Sequence, residues 1–333
     1  MAILILIILL LAILSYFFIG NAPKAEKIVW GITFSQKYSQ DLDLKWKENY
    51  LEILDDLKVK NIRLITHWDL IEKSPGEYDF EDLDWQIRES GKRGAKILLV
   101  IGLKTGRWPE CHIPDWAKNS SKEDLKNKTL TLIKEIVLRY KDSKNIWAWQ
   151  VENEPFFLFG ECPKIEEKFV KQEINLVKSL DAPATFETEM VGGREIVVTD
   201  SGEGSFWFKV ARLSDIPGIT MYKKVWVKHL KFYFTYPLPS VFYWRKAQII
   251  KKLFDKEVIC TELQAEPWGP KLLYDISLNE QEKTMNLEQF QKNIEFAEKT
   301  GLKRFYLWGS EWWFWLKQKH NEPEIWDEAK KLF

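Results

Sequence analysis

Apolar residues along this chain fall into eight short continuous runs, separated by longer stretches in which they recur every three or four positions. The runs are "IVWGITF" (28–34), "IRLITHW" (62–68), "KILLVIGL" (96–103), "IWAWQVEN" (146–153), "EIVVTDS" (195–201), "IPGITMY" (216–222), "EVICTEL" (257–263) and "RFYLWGS" (304–310). Runs dense in Val, Ile and Leu, without strict alternation, predict parallel strands covered on both faces. The stretches between them, such as "LKWKENYLEILDDLKV", "KEDLKNKTLTLIKEIVLRY" and "IEEKFVKQEINLVKSL", have the spacing of amphipathic helices. Eight strands, each followed by a helix, predict an α/β fold, a (β/α)8 barrel over 28–333. A doubly wound open sheet is the alternative, but the chain has no G-x-G-x-x-G turn.

The first twenty residues, "MAILILIILLLAILSYFFIG", form a separate segment with no charged side chain. An apolar run of about 18 residues would rise about 27 Å as a helix, enough to cross a hydrocarbon core. A cleaved signal peptide would begin with basic residues, which this segment lacks; its one small-residue site, Gly20-Asn21-Ala22, precedes Pro23. An N-terminal transmembrane or signal-anchor helix over 1–20 is therefore expected, then a short tether over 21–27. Secretion after cleavage is the alternative. Lys24 and Lys27 would favour a cytoplasmic C-terminal flank, though two charges weigh little.

Lys plus Arg and Asp plus Glu both number 49, so no basic footprint points to nucleic acid. Seventeen tryptophans are unusually many: a large aromatic core would account for about half, and because each indole N–H needs a partner, a partly wet groove would use the others. Cys111 in "RWPECHIPDW" and Cys162 in "FGECPKI" lie in loops after consecutive strands, which a barrel would place side by side. A disulfide between them would fit an extracytoplasmic barrel, and two unrelated thiols are the other reading. Cys260 reads as a buried core thiol. The segment 223–247 alternates aromatics with lysines around Tyr-Pro-Leu-Pro; it is read as a rim insertion, a bilayer-resting surface or ordinary loop packing. A monomer is expected.

The chemistry narrows by elimination. The four histidines, His67, His112, His229 and His320, have no metal-ligand spacing, and neither C-x-x-C, G-x-S-x-G nor a phosphate loop occurs. No metal and no cofactor is expected. Barrel chemistry sits at the C-terminal strand ends. The fourth strand ends on Asn153-Glu154-Pro155 and the seventh carries Thr261-Glu262. Either glutamate alone is more simply a capped or ion-paired strand end. Facing each other about 5 to 5.5 Å apart, the two would suit a retaining glycosidase.

"WQVENEP", "VICTEL" and "FYLWGSEWW" resemble the fourth, seventh and eighth strands of clan A glycoside hydrolases, which include cellulase-like family 5 enzymes. "WDLIEKSPGEYDFEDLDWQI" is similar to the loop and helix after their second strand, and the likeness runs from Ile28 onward. The resemblance implies a hydrolase of O-glycosidic bonds, with β-linked oligo- or polysaccharides as partners. It implies Glu154 as acid/base, Glu262 as nucleophile, and substrate contacts from Asn153, Arg63, Tyr222, Trp308 and Trp268. Arg63 and Tyr222 would also hold the nucleophile's oxygens. Thr220-Met221-Tyr222 departs from the His-x-Tyr common on the family 5 sixth strand, so the clan is better supported than the family. Glu266 competes for the nucleophile's role, although its loop position suits substrate contact better. Glu152 is read as a structural partner; Asp200 and Glu203 are read as sugar contacts or as caps of their loop. A transglycosylase on the same site, a silent carbohydrate-binding protein and a membrane-tethered scaffold are the alternatives.

Overall fold

The computed structural model describes residues 2–182 and 193–333. Eight parallel strands close into one ring: β1 (Val29–Phe34), β2 (Asn61–Ile65), β3 (Lys96–Ile101), β4 (Ile146–Val151), β5 (Glu195–Asp200), β6 (Ile216–Met221), β7 (Ile259–Gln264) and β8 (Arg304–Trp308). β8 returns to β1 in register, Val29 beside Arg304 and Ile32 beside Leu307. Helices such as Trp46–Asp55, Glu81–Lys92, Lys122–Tyr140 and Glu167–Leu180 cover the outside. The expected (β/α)8 barrel is present, with every predicted strand in place.

Burial on both faces explains why alternation is hard to see in the sequence. Along β2, Ile62 and Leu64 pack outward against helices, while Arg63 and Ile65 point into the barrel. The interior is layered. Leu98, Ala148, Val197, Ile259 and Tyr306 fill its lower part, and Ile65, Val100, Tyr222, Val225 and Trp308 cluster near the mouth. A polar layer lies between, because Arg63 reaches Gln150 and Thr33 through its guanidinium.

The aromatic segment after β6 forms a hairpin, Lys224–Val227 paired with Phe232–Thr235, and then the helix Ser240–Phe254. Val225, Val227, Phe234 and Tyr236 pack with Tyr222 and Trp268, so the hairpin belongs to the rim of the mouth. The cysteine pair is bridged: Cys111 and Cys162 form a disulfide with Cα atoms 5.4 Å apart, and Cys260 is buried.

The N-terminal segment is helical over Ala2–Phe18 and largely exposed. It touches the body through Phe17 and Phe18 against Phe242, and through Tyr16 under Arg245. The expectation of a spanning helix is corrected here: among the described residues no helix is long and apolar enough to cross a membrane. The described helix, Ala2–Phe18, has 17 residues, about one fewer than the apolar run of about 18 from which the crossing was inferred.

Candidate active site

Strand β7 brings its glutamate inward through an irregularity. Ile219 of β6 lies beside Cys260, but Thr220 lies beside Glu262, and on the other side Phe305 and Leu307 of β8 match Cys260 and Leu263. One extra residue on β7, Thr261, is thus absorbed between its neighbours, as in a β-bulge. Ile259 already faces the barrel interior. Regular alternation would turn Thr261 and Leu263 inward; the extra residue turns Glu262 inward instead.

Glu262 is gripped from two sides. Tyr222 Oη donates to its Oε2 at 2.9 Å. Arg63 Nη1 lies 3.0 Å from Oε1, a charge contact whose angle falls short of a hydrogen bond. Arg63 is fully buried, and its remaining N–H groups donate to Gln150 Oε1 at 2.7 Å and Asn153 Oδ1 at 2.8 Å. Thr199 and Gln150 donate to the same Asn153 oxygen, which fixes the amide with its nitrogen toward Glu110, 3.4 Å away.

Glu154 leaves β4 through a strained turn. Both Glu152 (φ 62°) and Glu154 (φ 43°) adopt the left-handed region, uncommon for residues with a side chain. Three sets of bonds hold the turn. Glu152 accepts the backbone N–H groups of Leu103 and Lys104, each at 2.7 Å. Its carboxylate fits only because position 102 is glycine, where a Cβ would come within 2.5 Å of Glu152 Oε1. Lys104 Nζ donates to the carbonyls of Glu154 and Phe157, and the Glu154 N–H donates to Thr199 Oγ1 at 2.8 Å.

The Glu154 carboxyl receives one hydroxyl, Thr220 Oγ1, 3.1 Å from its Oε1. Burial and the charge of Glu262 hold this carboxyl well above the usual carboxylate range. Thr220 is also the register partner of Glu262. The two carboxyl groups therefore flank one residue on β6 and sense each other's charge.

The platform side is built by β8. Trp308 ends the strand, with the Arg63 guanidinium 5.8 Å and the Arg107 guanidinium 4.0 Å from its ring centre. Trp268 stands edge-on to Tyr222 at 5.0 Å and beside Phe159 at 5.5 Å. Seven expected residues thus meet at one mouth: Glu154, Glu262, Arg63, Asn153, Tyr222, Trp308 and Trp268.

Glu266 is partly engaged: Arg107 binds its Oε1 and also pairs with Glu311 at 3.0 Å, while Glu266 Oε2 has no hydrogen-bond partner among the described residues. Asp200 and Glu203 serve their own loop. Asp200 accepts from the Ser201 N–H and the Ser205 hydroxyl, while Glu203 accepts from the Tyr222 N–H and Tyr243 Oη. The sequence reasoning did not single out Thr199, Thr220, Gln150, Lys104, Arg107 or Glu110. Burial pushes Glu110 up to about 7, with Lys104 opposing and Glu262 adding to the shift. An acidic residue in "PEC", within a loop following a strand end, was the available signal.

With the barrel and the two glutamates at its mouth, the resemblance drawn from the motifs can be set beside the known proteins to which the chain is similar. No protein-family model matches the chain. Among curated proteins it is similar to mannan endo-1,4-beta-mannosidase 1 of Solanum lycopersicum, 28% identical over 174 residues, covering 42% of this chain and 43% of that protein. It is also similar to mannan endo-1,4-beta-mannosidase 1 of Arabidopsis thaliana, 27% identical over 137 residues, 36% of this chain and 33% of that one. The chain thus spans less than half the length of these relatives. Among solved structures, xylanase 10B from Thermotoga petrophila in complex with xylobiose superimposes with a TM-score of 0.56 at 14% identity, covering 94% of this chain and 98% of that one. GH5_18 from Bifidobacterium longum gives 0.58 at 10% identity, over 85% and 70%. At such identities the structural likeness speaks for the fold alone.

Proposed function

We propose that the chain is a retaining glycoside hydrolase acting on β-linked oligo- or polysaccharides. The observation that carries this reading is the placement of Glu154 and Glu262 on either side of Thr220, one with a hydroxyl donor and the other with a guanidinium and a phenol. Glu154, kept neutral, gives its proton to the glycosidic oxygen as the C1–O bond breaks. Glu262 closes on C1 and forms a glycosyl ester. Water then attacks C1, returning its proton to Glu154 and freeing Glu262, so configuration is retained. Asn153, oriented by Arg63, would bind the sugar 2-hydroxyl most strongly as positive charge develops at C1. Trp308 and Trp268 would pack against sugar faces. An intact acid pair favours turnover over a silent binding role, and transglycosylation would differ only in which hydroxyl attacks the ester.

The curated relatives are named for mannan, and one GH5_18 structure holds Manb1-4GlcNAc, so β-1,4-mannosides head the list of substrates to try. The disulfide supports a barrel outside the cytoplasm, and the exposed apolar helix supports attachment to a bilayer surface. The test is a panel of β-1,4-linked manno-, xylo- and gluco-oligosaccharides followed by NMR of the first products. β-Anomers are expected first. α-Anomers first would overturn the retaining mechanism, and no product from the whole panel would overturn the hydrolase reading.

A further inference from the structure

We propose that Arg107 closes the glycone side of this site, so that it takes the non-reducing end of a β-linked oligosaccharide and releases one sugar per turnover. The inference rests on the hydrolase reading above and names its substrate class.

In a double displacement the acid stands beside the leaving group, and the nucleophile and its platform stand under the sugar that is transferred. Here the acid's partners, Thr199 and Thr220, come from β5 and β6, while the platform Trp308 belongs to β8. The site therefore has a leaving-group side and a glycone side. Arg107 spans the second. From the loop after β3 its guanidinium lies 3.7 Å from the Tyr38 ring centre and 4.0 Å from that of Trp308. It bonds Glu266 beyond β7 and Glu311 at the start of the helix after β8.

This arrangement is dry. Arg107 is 5% exposed, Glu266 8% and Glu311 0%. A sugar chain continuing past Trp308 would have to separate a desolvated guanidinium from two carboxylates, which costs more than sugar stacking returns. Arg107 sits at φ 63° after Gly106 at φ 94°, and a Cβ at position 106 would lie 3.5 Å from the Trp308 ring, so the loop passes close over the platform.

The loop that leaves Glu154 is aromatic: Phe157 is nearly half exposed, and Phe159 lies 5.5 Å from Trp268. Aromatic faces of this kind suit the apolar faces of sugars in the leaving portion. Each turnover breaks one C1–O bond of the terminal sugar. The water hydroxyl ends on C1 and the proton on the oxygen of the shortened chain.

The test uses the full chain in detergent with reducing-end-labelled β-1,4-mannotetraose, xylotetraose and cellotetraose. Cleavage that shortens the label by one sugar at a time is expected, with the free monosaccharide at least about tenfold over any other early product. Methylation of O4 on the non-reducing sugar should slow cleavage about 100-fold, because a closed pocket has no room for the added group. Arg107→Ala should shift products toward internal cleavage, and the wild-type pattern decides the matter even where that variant does not fold. Early labelled dimers, or a capped tetraose cut as fast as the uncapped one, would overturn the closure while leaving the hydrolase reading intact. No cleavage of any tetraose would overturn the hydrolase reading, and this inference with it.

Discussion

Two glutamates of the same barrel mouth differ in what surrounds them. Glu262 lies against the buried Arg63 guanidinium and the Tyr222 hydroxyl. Glu154 meets a single neutral hydroxyl from Thr220, while the one nearby cation, Lys104, spends its protons on backbone carbonyls. Burial and the charge of Glu262 hold the Glu154 carboxyl toward the neutral acid, whereas Glu262 is the one given a countercharge. Identical side chains thus meet unlike neighbours, a guanidinium and a phenol in one case and a lone hydroxyl in the other, an asymmetry that suits the acid and nucleophile proposed above.

Removing either member should break the comparison most severely. Glu262→Ala is expected to lower kcat by about 10^4-fold or more while sugar binding, read by tryptophan fluorescence, persists. Retained turnover would shift the nucleophile to Glu266. Arg63→Ala should come next: it strands Glu262 in a buried site and empties the acceptors on Gln150 and Asn153, costing about 3–5 kcal/mol in denaturant unfolding. Tyr222→Phe removes one hydrogen bond to a charged group, about 1.5–3 kcal/mol, which corresponds to about 10- to 100-fold in kcat/KM with the fold unchanged.

The proton inventory can be sharpened by titration. Because the Glu154 carboxyl is held high, its loss of a proton should form the alkaline limb of kcat/KM, and Glu154→Gln assayed with an activated aryl glycoside should abolish that limb. Glu110 gives the smallest effect. Its carboxyl rises from 4.5 to about 7 on folding, so the stability carried by its neutral form is full below 4.5 and lost as pH climbs through 7. Melting temperature should fall across that window, and Glu110→Gln should flatten the decline.

Much of this was legible because barrel strands announce themselves as apolar runs, because Glu154 and Tyr222 lie just past strand ends, and because Arg63 and Glu262 are charged residues inside such runs. What was not legible depends on neighbours. Thr220 and Thr199 look like ordinary strand residues until register sets them against Glu262 and Glu154. The extra residue at Thr261 exists only relative to β6 and β8, so no local pattern could show it. The loop position of Glu266 was readable, whereas the arginine that binds its Oε1 lies 159 positions earlier in the chain. The N-terminal run was legible as an apolar helix, and among the described residues that helix, Ala2–Phe18, is not long and apolar enough to cross a membrane.

The bond between Cys111 and Cys162 joins the loop that carries Arg107 to the loop that leaves Glu154. The proton donor and the end wall proposed above are consequently tied to one covalent clasp, and whatever moves one loop should drag the other. A mild thiol reagent would act on product length and on acid delivery in a single stroke, without touching any atom that reacts.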